Sequence, residues 1–264
     1  MTLSRPHWYL AILLTAMPAV VNAESCRVKS ETHIVPLIEL YTAEGCSDCP
    51  PADAWLSKLA AQMNNSQASM LALHVDYWDE HGWPDRFASP AYSQRQNFRV
   101  KLAKKKVIYT PHVMIGTETT VKWNDQAETS RLLSRARSKQ PQVELAMDVG
   151  KADDGLQVSV RALPQANAPT GPTPNLMWLA LYQDDLTSSI REGENKGRTL
   201  HHDRVTRVLK GPWAIDTQPV AGEVRIPLEA GTDLSKYGLV LFAESSTTGA
   251  GLQSLSLPLK SCSL

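Results

Sequence analysis

The sequence predicts a mixed α/β chain in which an α/β unit is followed by a β-rich, sandwich-like unit. Three observations predict it. Largely apolar runs at residues 34–41 and 70–75, bounded by turn residues, are each followed by a stretch of helical periodicity. A strand–strand–helix pattern then fills residues 113–136. Beyond Pro141 the helical pattern stops, and short apolar runs recur between turn residues, as in stacked antiparallel sheets.

The elements follow in order. Residues 34–41 read as a buried strand, and the helix after Cys49 carries Trp55, Leu56, Leu59 and Met63 on one face. Residues 70–75 form a second buried strand. Ser89 and Pro90 then supply an N-cap and a first helical residue, with Phe98 and Leu102 one turn apart. Residues 113–115 and 119–123 flank Gly116-Thr117 as a hairpin, and Asp125 with Glu128 makes a capping box ahead of Leu132, Leu133 and Ala136. The order is strand, helix, strand, helix, strand, strand, helix. That is the order of a thioredoxin-like core.

In the second unit, strand-like runs fall at residues 143–149, 156–163, 176–182, 223–227, 239–243 and 252–259, with a proline-rich loop at 164–174. The boundary is placed near Pro141, giving units of residues 24–140 and 141–264. Residues 1–23 read as a secretory leader, because Arg5 precedes apolar residues 8–17 and the segment closes in Val21-Asn22-Ala23. That run is short for a bilayer span, so no stable membrane anchor is expected after cleavage. The remaining chain of about 240 residues is ample for two ordinary domains. With 27 Lys and Arg against 27 Asp and Glu, the composition points to neither nucleic acid nor an anionic membrane as partner.

Export places the four cysteines in an oxidising compartment. Cys26 lies just after the expected cleavage site and Cys262 near the C-terminus. The simplest pairing joins these two and leaves Cys46 with Cys49, although four cysteines allow three connectivities.

Cys46-Ser47-Asp48-Cys49 sits where the first strand turns into the first helix. A thiol at a helix N-terminus gains from unpaired N–H groups and the helix dipole, which makes Cys46 the nucleophile and Cys49, one turn in, the resolving thiol. Pro50 and Pro51 occupy the first turn, where a missing N–H costs nothing. Asp48 and Glu44 place negative charge beside the thiolate and lean the couple toward reduction.

Other candidates surround the motif. Thr110-Pro111 precedes the third strand, which runs antiparallel to the first, so it lies beside the end from which Cys46 projects. A cis proline there would leave the Thr110 backbone free to pair with a substrate peptide. His112 is either an acid–base group, a third soft ligand with Cys46 and Cys49, or a partly exposed strand histidine. Glu39, within the first strand, is a secondary candidate for taking the proton of the resolving thiol, if it faces inward. Trp78 belongs to an aromatic loop with Tyr77, His81, Trp83 and Phe87, which either walls the cysteine pocket or bridges the two units. The polar stretch from Arg191 to His202 reads as a structured loop that touches the first unit. A metal role for His201 and His202 is disfavoured, because adjacent strand residues point apart.

The segments Glu39-Leu40-Tyr41-Thr42-Ala43-Glu44-Gly45-Cys46-Ser47-Asp48-Cys49-Pro50-Pro51-Ala52-Asp53, His74-Val75-Asp76-Tyr77-Trp78-Asp79, Tyr109-Thr110-Pro111 and Gly193-Glu194-Asn195-Lys196-Gly197-Arg198-Thr199-Leu200 resemble a group of bacterial secreted proteins known as domain of unknown function 1223. The resemblance spans both units. It implies a thioredoxin-like region, Cys46 and Cys49 as the redox pair, Pro111 as the cis proline, and a periplasmic or secreted location. The leading expectation is a thiol–disulfide oxidoreductase without a cofactor, exchanging electrons with a protein or small-thiol partner. The alternatives are a copper- or zinc-handling protein that uses the cysteine pair and a histidine, and a binding module whose disulfides are structural.

Overall fold

The structure, a computed structural model, describes residues 25–168 and 173–264; the expected leader at residues 1–23 and the middle of the proline-rich loop lie outside them. The first half comprises β1 (Ser25–Lys29), β2 (Leu37–Thr42), α1 (Pro50–Gln62), β3 (Ser69–His74), a 3-10 turn (Asp76–His81), α2 (Pro90–Leu102), β4 (His112–Ile115), β5 (Glu118–Val121) and α3 (Gln126–Arg137). The second half comprises β6 (Val143–Ala152), β7 (Gly155–Pro164), β8 (Asn175–Gln183), β9 (Leu186–Ser189), β10 (Thr199–His202), β11 (Val205–Ile215), β12 (Val220–Pro227), β13 (Tyr237–Glu244) and β14 (Gly251–Pro258). The fold is mixed α/β and strand-rich.

Local chemistry sets the helix starts. Ser89 Oγ accepts from the Ala91 N–H at 3.3 Å, with Pro90 next, and Asp125 Oδ1 accepts from the Glu128 N–H at 3.0 Å. Apolar β2 and β3 are buried on both faces because helices and strands cover them on both sides. Ile38, Leu40, Met70, Ala72, Val113 and Ile115 meet Leu56 of α1 and Leu132 and Leu133 of α3, while Tyr41, Leu71, Leu73 and Met114 face the opposite core.

The buried side of α2 differs from the expected one. Phe98 and Leu102 are only half-buried; the inner stripe is Tyr92, Arg95, Gln96, Arg99 and Val100. Their spacing is helical, but two of the five are cations. Arg95 Nε lies 2.5 Å from Glu39, and its other nitrogens bond Glu244 at 2.9 and 3.0 Å. Arg99 bonds the same Glu244 carboxylate at 2.9 Å. An apolar-periodicity reading passes over a stripe held by buried ion pairs.

The division expected between residues 140 and 141 is not a division of the sheet. One eight-stranded sheet runs β14-β13-β8-β11-β3-β2-β4-β5, so strands from both halves share it. The join is the parallel pairing of β11 with β3, where Val205 lies opposite Ala72 and the Ala72 N–H bonds the Arg204 carbonyl at 2.8 Å. A second sheet, β1-β6-β7-β12, packs on β8, β13 and β14. Its alternating Val143, Leu145, Met147 and Val149 face that core, as do Leu156, Val158, Val160 and Ala162. The N-terminal strand β1 belongs to this second sheet, and Cys26 on it bonds Cys262 across a separation of 236 residues, with 5.5 Å between α-carbons.

Candidate functional site

The cysteine loop leaves the end of β2 and turns into α1. Cys46 N–H bonds the Ala43 carbonyl at 3.2 Å, and Cys49 N–H bonds the Cys46 carbonyl at 3.2 Å. Cys49 is the N-cap of α1, and Pro50 and Pro51 fill its first turn. Cys46 and Cys49 are joined as a disulfide with α-carbons 5.4 Å apart. Both sulfurs sit in the face that holds Tyr41, Leu73, Met114 and Tyr182. Cys46 is 2% exposed and Cys49 fully buried, so the bond is covered. Ser47 and Asp48 between them are exposed.

Trp78 ties the loop to Thr110. The tryptophan packs against Gly45, and its indole N–H donates to Thr110 Oγ1 at 2.7 Å. The Thr110–Pro111 bond is cis, and the next residue, His112, pairs with Tyr41 across β4 and β2. Trp83 of the aromatic loop touches both the cysteine loop and the second half. Trp83 donates to Glu44 at 2.7 Å beside the cysteines, while Gly82 and Trp83 pack on Gly193 of the second half.

Two candidates are committed elsewhere. Glu39 does face inward, 1% exposed, but it accepts from Arg95 at 2.5 Å and from the Tyr41 hydroxyl at 3.1 Å. His112 is buried rather than partly exposed. Gln96 lies 3.1 Å from its Nδ1, the Thr119 carbonyl faces its Nε2, and Tyr109 stacks on its ring at 4.1 Å. Burial pushes its pKa down, and with both nitrogens engaged it offers no free atom to a thiol or a metal. Among the described residues, no three His, Cys, Asp or Glu side chains converge as a metal ion requires.

The polar stretch expected to touch the first unit does so from β9 and β10, and the sequence reading left its individual partners unassigned. The 193–197 loop between these strands closes on the cysteine loop. Asn195, fully buried, donates its amide to the Glu44 carbonyl at 2.8 Å and the Cys46 carbonyl at 2.9 Å. Arg198 fixes that amide by donating to its Oδ1 at 2.8 Å. Glu194 accepts from the Ser47 N–H at 3.1 Å, and the Ser47 hydroxyl together with that N–H holds its pKa below the usual carboxylate range.

Beneath the loop lies a buried cluster of charge. His202 Nε2 is 3.4 Å from Glu44 Oε1, and its Nδ1 is 3.6 Å from Asp53 Oδ2. Burial works against a charge on His202, but Asp53 and Glu44 outweigh it and push the pKa up to about 9. Next to it, His74 Nδ1 is 2.6 Å from Asp85, and the two histidine rings meet edge to face with centroids 5.0 Å apart. Burial would raise the pKa of Asp85 and of Glu44; His74 lowers the first, and contacts from His202, Ser188 and Trp83 lower the second. Strand parity explains the choice of histidine: His202 points in and His201 out. The available signal was the polar density from Arg191 to His202.

Comparison with known proteins adds a family. The profile of a protein family of unknown function, DUF1223, matches residues 37–244. The chain belongs to this family. No curated protein matches it. Two solved structures share the DUF1223 chain's fold at low identity. The crystal structure of protein AGR_C_4864 from Agrobacterium tumefaciens is 21% identical, with a TM-score of 0.62 over 86% of this chain and 96% of that one. HBP35 of Porphyromonas gingivalis is 11% identical, with a TM-score of 0.64 over 88% of this chain and 77% of that one.

Proposed function

We propose that this chain is an exported thiol–disulfide oxidoreductase whose redox pair is Cys46 and Cys49. The observation that carries the reading is the Cys46–Cys49 disulfide at the N-terminus of α1, with Cys49 as its N-cap. Support for a thioredoxin-like core comes from the strand order β3-β2-β4-β5, parallel between β2 and β3 and antiparallel on either side of β4. Thr110 and Pro111 stand at the start of β4, in reach of the cysteine loop through Trp78. The two disulfides fit an oxidising compartment.

The chemistry is a pair of exchanges. With the pair reduced, Cys46 attacks a partner disulfide as thiolate, forming a mixed disulfide and expelling one partner thiolate, which takes up a proton. Cys49, having given up its proton, attacks Cys46 Sγ and releases the second partner thiol; two electrons pass to the partner and the Cys46–Cys49 bond re-forms. A protein or small-thiol partner fits this scheme, and the partner is the part that experiment must name.

Replacing Cys49 by Ser removes the resolving thiol and tests the reading. The expected result is a mixed disulfide trapped on Cys46 and released by dithiothreitol. Absence of any trapped species in an extract of the native host, with Cys46 alkylatable, opposes the reading.

A further inference from the structure

We propose that His202 is a positioning residue for the Cys46–Cys49 pair: set between the carboxylates of Glu44 and Asp53, its ring carries the positive charge beneath the cysteine loop that favours the thiolate formed on reduction. The inference rests on the redox reading above and names what tunes that pair.

The geometry starts from the two carboxylates. Glu44 precedes Cys46 by two residues, and Asp53 sits one helical turn after Cys49, bonding its N–H to the Cys49 carbonyl at 3.1 Å. Both are buried, at 0% and 6% exposure. Unscreened carboxylates on either side of the pair would oppose a third negative charge on sulfur. His202 stands between them at 3.4 and 3.6 Å, which are ion-pair rather than close hydrogen-bond distances. Each ring nitrogen of His202 thus faces one carboxylate oxygen, the arrangement that suits a ring protonated on both nitrogens. The raised pKa of His202 agrees with this.

Among the neighbouring cations His202 is the one set against both carboxylates, while Arg198 serves the Asn195 amide. From β3, His74 faces it but is taken by Asp85 at 2.6 Å. From the aromatic loop, Phe87 faces the ring, with Arg86 and Arg207 stacked over Phe87 at 4.6 and 5.1 Å from its centroid. Trp83 serves Glu44 and is neutral. The hairpin that brings His202 also grips the Cys46 carbonyl through Asn195, so charge and clamp arrive on one element.

The negative charge of Glu44, read from the sequence as set against a thiolate, is thus matched. Reduction by dithiothreitol shows the balance: its two thiols give two electrons to the Cys46–Cys49 bond and end as a cyclic disulfide, and one proton goes to solvent when one cysteine stays a thiolate.

Three variants test the inference: His202→Gln, Asp53→Asn and the two combined. The readouts are the pH profile of Cys46 alkylation in the reduced protein and the equilibrium of the pair with glutathione. His202→Gln is expected to move the alkylation midpoint to higher pH and to shift the glutathione equilibrium about tenfold toward the disulfide. Asp53→Asn should move both the other way, and the double variant should return near the starting values. Unchanged profiles in folded His202→Gln, or both single variants moving in the same direction as general loosening would make them, overturn the inference. Should His202→Gln fail to fold, Asp53→Asn carries the test: a downward move supports it and none overturns it. A reversible pair indifferent to His202 sinks only this inference, whereas a Cys46–Cys49 bond that never exchanges with thiols sinks the redox reading and this inference with it.

Discussion

The side-chain amide of Asn195 lies 2.9 Å from the carbonyl oxygen of Cys46, across a separation of 149 residues. The same amide reaches the Glu44 carbonyl, so one side chain from the β-rich half satisfies two buried carbonyls of the cysteine loop. The disulfide of that loop is 2% exposed at Cys46. The backbone that carries Cys46 is therefore held by a contact between the halves.

Asn195→Ala leaves both carbonyls without that donor. A buried group stripped of its partner costs about 1–3 kcal/mol. The variant should melt at lower temperature, and its Cys46–Cys49 bond should be reduced by dithiothreitol several-fold faster. Thermal denaturation and timed alkylation check the two effects.

His202 gives a pH dependence of definite sign. Its folded pKa of about 9 lies above the ordinary histidine value of 6.5. Its stabilisation is fully present below about pH 6.5 and is lost as the pH rises through about 9, on the order of 3 kcal/mol in all. Denaturant midpoints from pH 6 to 10 should fall across that window in the wild-type protein, and much less in His202→Gln.

The inner face of α2 makes a third prediction. Arg95 stands between Glu39 and Glu244, all three essentially buried. Arg95→Met would leave two buried carboxylates facing Arg99 and the neutral donors Tyr41 and Trp178, at a cost of about 3–5 kcal/mol. A urea titration should show a lower midpoint, and the double variant Arg95→Met with Glu39→Gln should recover part of it.

Cys26 on β1 and Cys262 after β14 are joined within one core. Over a separation of 236 residues the chain-entropy account assigns the link on the order of 5 kcal/mol. Replacing both by Ser should lower the denaturation midpoint without touching Cys46–Cys49, which mass mapping of the remaining bond would show.

What the sequence made legible follows physical lines. Apolar β2 and β3 announced themselves because strands buried on both faces are continuous runs. The capped starts of α2 and α3 were legible from Ser89-Pro90 and Asp125. Strand β11 was not, since Val205–Ile215 is broken by shifts at Thr206/Val208 and Lys210/Trp213 and contains Pro212. Missing it hid the strand that joins the halves within the eight-stranded sheet. At the site, the CxxC and Thr110-Pro111 could be read locally, whereas Asn195 and His202 gain meaning only when a long-range hairpin folds back on the loop.

The most direct test of the account is the equilibrium of Cys46–Cys49 with defined ratios of reduced and oxidised glutathione, read by alkylation and mass mapping of each cysteine pair. The account predicts a reversible two-electron transition confined to Cys46 and Cys49, with Cys26–Cys262 still bonded throughout. A Cys46–Cys49 bond that resists dithiothreitol until the protein unfolds would contradict it and mark the pair as a structural staple.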